Sequence, residues 1–280
     1  MKTRFLLLII FLITASQIKS QTESDVFSAE EMQMIASTKQ LNQFIRRFNN
    51  EESPFGIRYY SGNPAFRDNN SRGLYLKALF NQSNSTIPEL LKDRFVADLT
   101  DSIHPYYLDF HGGFWFAEVK TKFVSQNKQI PVTLFMKLQE EIIGSKWVIE
   151  SAYCEKYDEL FFETDTTGMK GLFLHPMSHE LDFMNMNRVF EKKNLVEFYT
   201  SRNFNPNHLT LLLYEIKNNV MKFSTVTGIK FHFFQIPGWY FNVEYYNRSG
   251  LNSGWLISNL LEISESDKIQ IQNFILHKEN

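Results

Sequence analysis

The chain has 280 residues, 43% of them hydrophobic and 21% charged, with a formal charge of -2. Typical domains run to about 100–150 residues, so two are expected, and a balance this close to neutral excludes charge-driven nucleic-acid binding. Only 12 Gly and 8 Pro rule out a collagen-like or disordered composition, while 27 Phe and 12 Tyr suit sheets filled with aromatic side chains.

Met1 to Ser20 has the form of an export signal. Lys2 and Arg4 make a positive end, Phe5 to Ile13 is an unbroken apolar run, and small or polar residues follow. An apolar run that short, at 1.5 Å rise per residue, cannot cross a ~30 Å hydrocarbon core. Cleavage after Ser20 is expected, leaving a protein in the periplasm or extracellular space with no stable membrane span. The single cysteine, Cys154, allows no internal disulfide and reads as a small buried hydrophobe.

Ser28-Ala29-Glu30-Glu31 has capping-box form and predicts a helix through about Asn50, with Met34, Thr38, Leu41, Ile45 and Phe48 on one stripe. Ser53 to Asn70 reads as loop, with a short strand at Ile57 to Tyr60. Arg72 to Phe80 suits a short helix, and Pro88 opens another to about Asp101 with Leu91, Phe95 and Leu99 on one side. Strands are then expected at Tyr106 to Phe110, Phe114 to Val124, Val132 to Glu140 and Trp147 to Tyr153. Residues 155–176 include Gly168 and Gly171 and read as a junction, after which Ser178 caps a helix from His179 to about Lys193.

The strand pattern returns after Asn207. Leu209 to Ile216 and Val220 to Phe234 are rich in β-branched, aromatic and large aliphatic residues, with Lys217-Asn218-Asn219 read as the hairpin turn between them. Pro237-Gly238 marks a corner, because proline offers no donor to a central ladder. Trp239 to Tyr245 alternates with period two and precedes the strand opening at Trp255. Two landmarks align the copies: Ile130-Pro131 against Ile236-Pro237, and Trp147-Val148-Ile149 against Trp255-Leu256-Ile257. The residues after Ser264 predict a short terminal helix or strand.

Helices followed by a curved antiparallel meander ending in a Trp-Val-Ile or Trp-Leu-Ile strand resemble the nuclear-transport-factor-2-like cone fold, here twice. The resemblance implies an α+β fold of two helix-then-meander modules with strongly curved sheets. The divisions are 1–20 signal peptide, 21–155 first module, 156–176 linker and 177–280 second module. In that superfamily the bent sheet leaves a cavity, used by some members for catalysis and by many for binding.

Chemistry is sparse. An acid and a histidine in a cavity would serve general acid–base work, and the candidates are Asp109, His111 and Glu118 in the first copy and Glu215, His232 and Glu244 in the second. His232 and Glu244 sit on successive strands and are the pair a lyase, isomerase or hydrolase would use. His175, His179 and Asp182 have ligand-like spacing, but Pro176 interrupts it, and no metal or other cofactor is expected. The aromatic series Phe234, Trp239, Tyr240, Phe241 and Tyr245 is the candidate binding surface for a partner protein or small apolar ligand. The expected role is therefore an exported binding protein, more readily non-enzymatic than catalytic; a subunit of an envelope or secretion assembly is the third reading.

Overall fold

A computed structural model describes residues 40–83, 86–142, 144–161, 186–191, 196, 199–201 and 206–278. The expected leader, the capping box at Ser28, the spaced His175, His179 and Asp182, and the helix start at Ser178 lie outside the described residues.

Helix α1 (Leu41–Phe48) carries the predicted stripe, with Ile45 and Phe48 buried and Leu41 packed beside them. Helix α2 (Asn69–Ala78) starts where the Asp68 carboxylate accepts the Ser71 N–H, satisfying one of the orphan donors of a first turn. Helix α3 (Glu89–Leu99) follows Pro88 and buries Phe95 and Leu99 on one side. Arg72 locks these pieces together from inside: its fully buried guanidinium donates to the carbonyls of Phe48, Leu99 and Tyr106. Ile57 to Tyr60 forms only an isolated bridge, Glu52 to Arg58.

The strands are β1 (Trp115–Ser125), β2 (Lys128–Glu141), β3 (Gly144–Tyr153), β4 (Lys222–Phe233), β5 (Trp239–Tyr246) and β6 (Gly254–Glu262). Between β3 and β4 come α4 (Glu155–Phe161), α5 (Asn187–Glu191) and α6 (His208–Lys217), and α7 (Glu265–Ile275) follows β6. The fold is thus α+β, and three strands of each predicted meander are present. They are not two separate sheets, however: all the strands form one six-stranded antiparallel sheet in the order β3-β2-β1-β4-β5-β6. The reason is an edge. Each meander would expose the outer edge of its first strand, and pairing β1 with β4 satisfies both rows of backbone groups at once.

Three local expectations are corrected. His208 to Lys217 is a helix, not a strand; the Asn207 side chain accepts the Thr210 N–H at its start. At its end Asn219 takes a positive φ of 59° while the Val220 N–H reaches back to the Glu215 carbonyl, so the amides expected in a hairpin close a helix instead. Tyr106 to Phe110 is irregular, and Phe114 precedes the strand it was assigned to. The proline landmarks are not equivalent, because Pro237 sits in the β4–β5 turn whereas Pro131 lies within β2 opposite Lys122. Pro131 is tolerated there because β2 pairs with β3 only from Thr133 onward, leaving the outer side of Pro131 without a strand to serve.

The sheet curls. Trp147 starts three strands away from Phe231, roughly 14 Å at ~4.8 Å per strand, yet their ring centroids are 6.2 Å apart. Trp255, on the opposite outer strand, reaches the same Phe231 ring at 4.8 Å. Both edges therefore bend toward the face that carries Trp115, Ala117, Val119, Phe231, Phe233 and Phe241. One end of this concave face is filled by α1 and α3: Phe48 stacks on Phe241 at 5.7 Å and Phe95 meets Trp239 at 5.1 Å. The convex face buries Phe116, Phe135, Phe234 and Tyr240 under Ile271, Ile275 and Leu276 at the end of the chain.

Candidate functional site

A row of rings crosses the concave face. Trp147 packs edge-on against Trp115 at 5.6 Å and against Phe231, Phe231 against Trp255, and Trp255 against Tyr245 at 5.3 Å. The middle of the row is buried, while its ends, Trp147 at 40% and Tyr245 at 48%, stay open. Beyond Phe231 the row runs on along β4 through Ile229, Val226 and Phe223. Two β-bulges in β4, between the partners of Lys120 and Thr121 and between those of Lys122 and Phe123, make this possible. Each inserts one residue, so a spacing of three keeps Phe223, Val226 and Ile229 on the face that strict alternation would have left. These three are exposed by 39% to 58%, an apolar strip continuous with the core.

The histidine of the expected acid–base pair lies on the other face. His232 is opposite Asn242, not Glu244, and Glu244 is taken by Lys230 at 3.1 Å. The carboxylate that meets His232 is Glu118, from β1, at 2.9 Å. One set of protons satisfies the whole cluster: Ser258 Oγ donates to Asn242, the Asn242 amide to the Tyr240 oxygen at 3.4 Å, the Tyr240 hydroxyl to His232 Nδ1 at 2.9 Å, and His232 Nε2 to Glu118. Burial pushes the imidazole below its ordinary pKa and raises the Tyr240 phenol to about 12, while the hydrogen bond from His232 holds Glu118 below the usual carboxylate range. Phe116 stacks on the imidazole at 4.9 Å. Both ring nitrogens are occupied and the ring is sealed, so the cluster is a polar staple across the β1–β4 seam.

The remaining candidates are scattered. Phe234, Trp239, Tyr240 and Phe241 are buried, and only Tyr245 of that series is open. Trp239 donates from Nε1 to Asp98 at 2.9 Å, and its edge reaches a shallow cleft of about 660 Å³ beside Glu262 and Asp267. Asp109 and His111 lie in an exposed turn, where the Asp109 carboxylate accepts the His111 N–H and Ser145 meets the ring. Glu215 is held by Lys156 at 2.6 Å and the Tyr157 hydroxyl at 2.8 Å. Cys154 is buried, and burial pushes its thiol pKa up, away from reactivity.

Sequence reasoning missed one cluster. His208, at the start of α6, places Nε2 3.1 Å from an Asp158 carboxylate oxygen and accepts the Cys154 N–H at Nδ1, and its ring stacks on Tyr153. His208, Asp158 and Tyr153 line a cleft of about 870 Å³ with His277. Nothing in the spacing of residues 54 positions apart announces it. Among the described residues no group of His, Cys, Asp and Glu could hold a metal ion, and no helix is long and apolar enough to cross a membrane. No protein-family model, curated protein or solved structure matches the chain.

Proposed function

We propose that the chain works after export as a binding protein, without catalysis, taking an apolar partner on the concave face of its sheet. The observation that carries this is the exposed strip of Phe223, Val226, Ile229 and Tyr245 continuous with the ring row at Phe231 and Trp147. A single exposed apolar residue is unremarkable on any surface, but a contiguous strip aligned by two bulges is the kind of feature that marks an interaction site. Export is supported by the leader-like first 20 residues. Against the enzymatic alternative stands the sealed His232, with both nitrogens engaged by Tyr240 and Glu118. The cone-fold kinship is supported by the order of helices and a curved antiparallel sheet; the shared sheet weighs against two self-standing modules.

The test uses Nile red, a neutral apolar dye. The wild-type protein is expected to give a saturable fluorescence gain, and Val226→Asp with Tyr245→Asp to weaken it at least about tenfold. An unsaturable response, or one indifferent to those substitutions, rejects the reading.

A further inference from the structure

The same strip has a second property, in its backbone. β4 pairs with β1 along its whole length but with β5 only from Lys230 to Phe233. Among the described residues, no strand pairs with its other side from Lys222 to Ile229 and no helix or turn supplies hydrogen bonds to it. The opposite treatment is visible at β6, whose outer edge is occupied by Leu79 to Asn81: Asn81 N–H donates to the Ile257 carbonyl at 2.9 Å and Ile257 N–H to Leu79 at 2.8 Å. One edge is closed, then, and one internal edge is left open beside exposed apolar side chains.

The far face of this open segment is basic. Lys222 pairs with Val124, and Lys122 pairs with Thr225, which puts both lysines on the face opposite Phe223. Lys120 joins them opposite Gly228, 3.7 Å from Glu118. Neither Lys122 nor Lys222 has an acidic partner among the described residues. The β4 residues in front of Lys122 and Lys120 are small, Thr225 and Gly228, so an acidic side chain on a neighbouring strand has a clear reach across them to the ammonium groups.

We propose that this edge receives an extended polypeptide segment as an added strand, with apolar side chains on the concave face and acidic ones on the lysine face. This rests on the binding-protein reading above and names its partner. Lysines and bulges by themselves are common guards against edge pairing. A guarded edge does not also present Phe223, Val226 and Ile229, and here the bulges are what align them. A lipid surface fits less well, because unpaired N–H and C=O groups are costly in hydrocarbon, whereas a strand satisfies them. The specificity follows from period two: one residue in two reads the apolar strip and the alternate ones read the lysines.

The experiment measures fluorescence anisotropy of labelled, capped octapeptides alternating valine with glutamate or valine with lysine. The glutamate peptide is expected to bind at least about tenfold more tightly than the lysine peptide. Lys122→Glu with Lys222→Glu is expected to reverse that order while Nile red binding stays unchanged, since both side chains are exposed and on the other face. Backbone N-methylation at alternate residues is expected to abolish binding in one of its two registers, which separates strand addition from mere charge attraction. If neither peptide binds, if both bind alike, or if both methylated registers bind, strand addition is wrong even where the dye result stands; loss of dye binding as well removes the parent reading. A wild-type dimer by light scattering that Phe223→Glu converts to monomer also overturns it, since the edge is then filled by a second copy.

Discussion

The two ends of the β1–β4 ladder are built from the same kind of pair and meet different fates. At one end Trp115 lies opposite Phe233, stacked at 5.5 Å and sealed by Phe44 from α1. At the other, Phe123 lies opposite Phe223 with rings 5.6 Å apart, and Phe223 is 58% exposed. Composition is not what distinguishes them: Phe123 is buried in the core as Trp115 is, and the difference is that Phe233 is covered by α1 whereas Phe223 is left exposed. Burial of aromatic surface stabilises the covered end. At the open end the exposed Phe223 brings little to folding, and the binding role proposed above would give it a use.

The sharpest break of this comparison is a truncation at each end. Phe48→Ala empties a fully buried site between Phe44, Phe95 and Phe241 and is expected to cost about 3–5 kcal/mol in urea unfolding. Arg72→Met comes next, removing the donor to the buried carbonyls of Phe48 and Leu99 and the part-buried carbonyl of Tyr106; a loss of about 2–4 kcal/mol is expected by the same measurement. Burial lowers the Arg72 pKa to about 10, so the side chain is still a cation at neutral pH and its effect should be flat across the neutral range.

A third test addresses the seam between the ends. His232 is depressed by burial in the folded state, so the unfolded chain binds its proton first as pH falls below about 6.5. Stability should therefore decline with falling pH through that window, by up to about 1.4 kcal/mol per pH unit for one group. Glu118, also depressed, adds a loss of the same sign at lower pH, and His277 contributes in the same direction as His232. His232→Phe should flatten the slope between pH 7 and 5.5 in thermal melts; an unchanged slope would place the titration elsewhere. The smallest effect belongs to the open end, where Phe223→Ala should shift stability by no more than about 0.5 kcal/mol while weakening Nile red. A large destabilisation there would erase the contrast.

How far these features could be read in advance depends on the range over which each is decided. The strands within Trp115 to Tyr153 and Lys222 to Glu262, the Pro237-Gly238 corner and the Phe95–Leu99 helix face follow from period and turn residues within a few positions, and these are present. His208 to Lys217 was ambiguous because a short apolar run suits either a strand or a helix; Asn207, an available cap, was the signal that decided it. The joining of β1 to β4 was beyond local pattern, and with it the meeting of His232 and Glu118, 114 residues apart. Glu244 looked closer in sequence, but the register gives it to Lys230. The three-residue spacing of Phe223, Val226 and Ile229 was visible in the letters, yet it means one face only once the bulges are known.

That central seam also bears on how the molecule comes together. Each half can form its strands through near neighbours in the chain, whereas the nearest pair of the β1–β4 ladder, Val124 with Lys222, is 222 - 124 = 98 positions apart. Contacts of such long range slow the search for the native arrangement. Joining the halves is accordingly the step expected to limit refolding, and lengthening the connection between Tyr153 and Lys222 should matter little at equilibrium, since doubling a loop adds only about 0.6 kcal/mol.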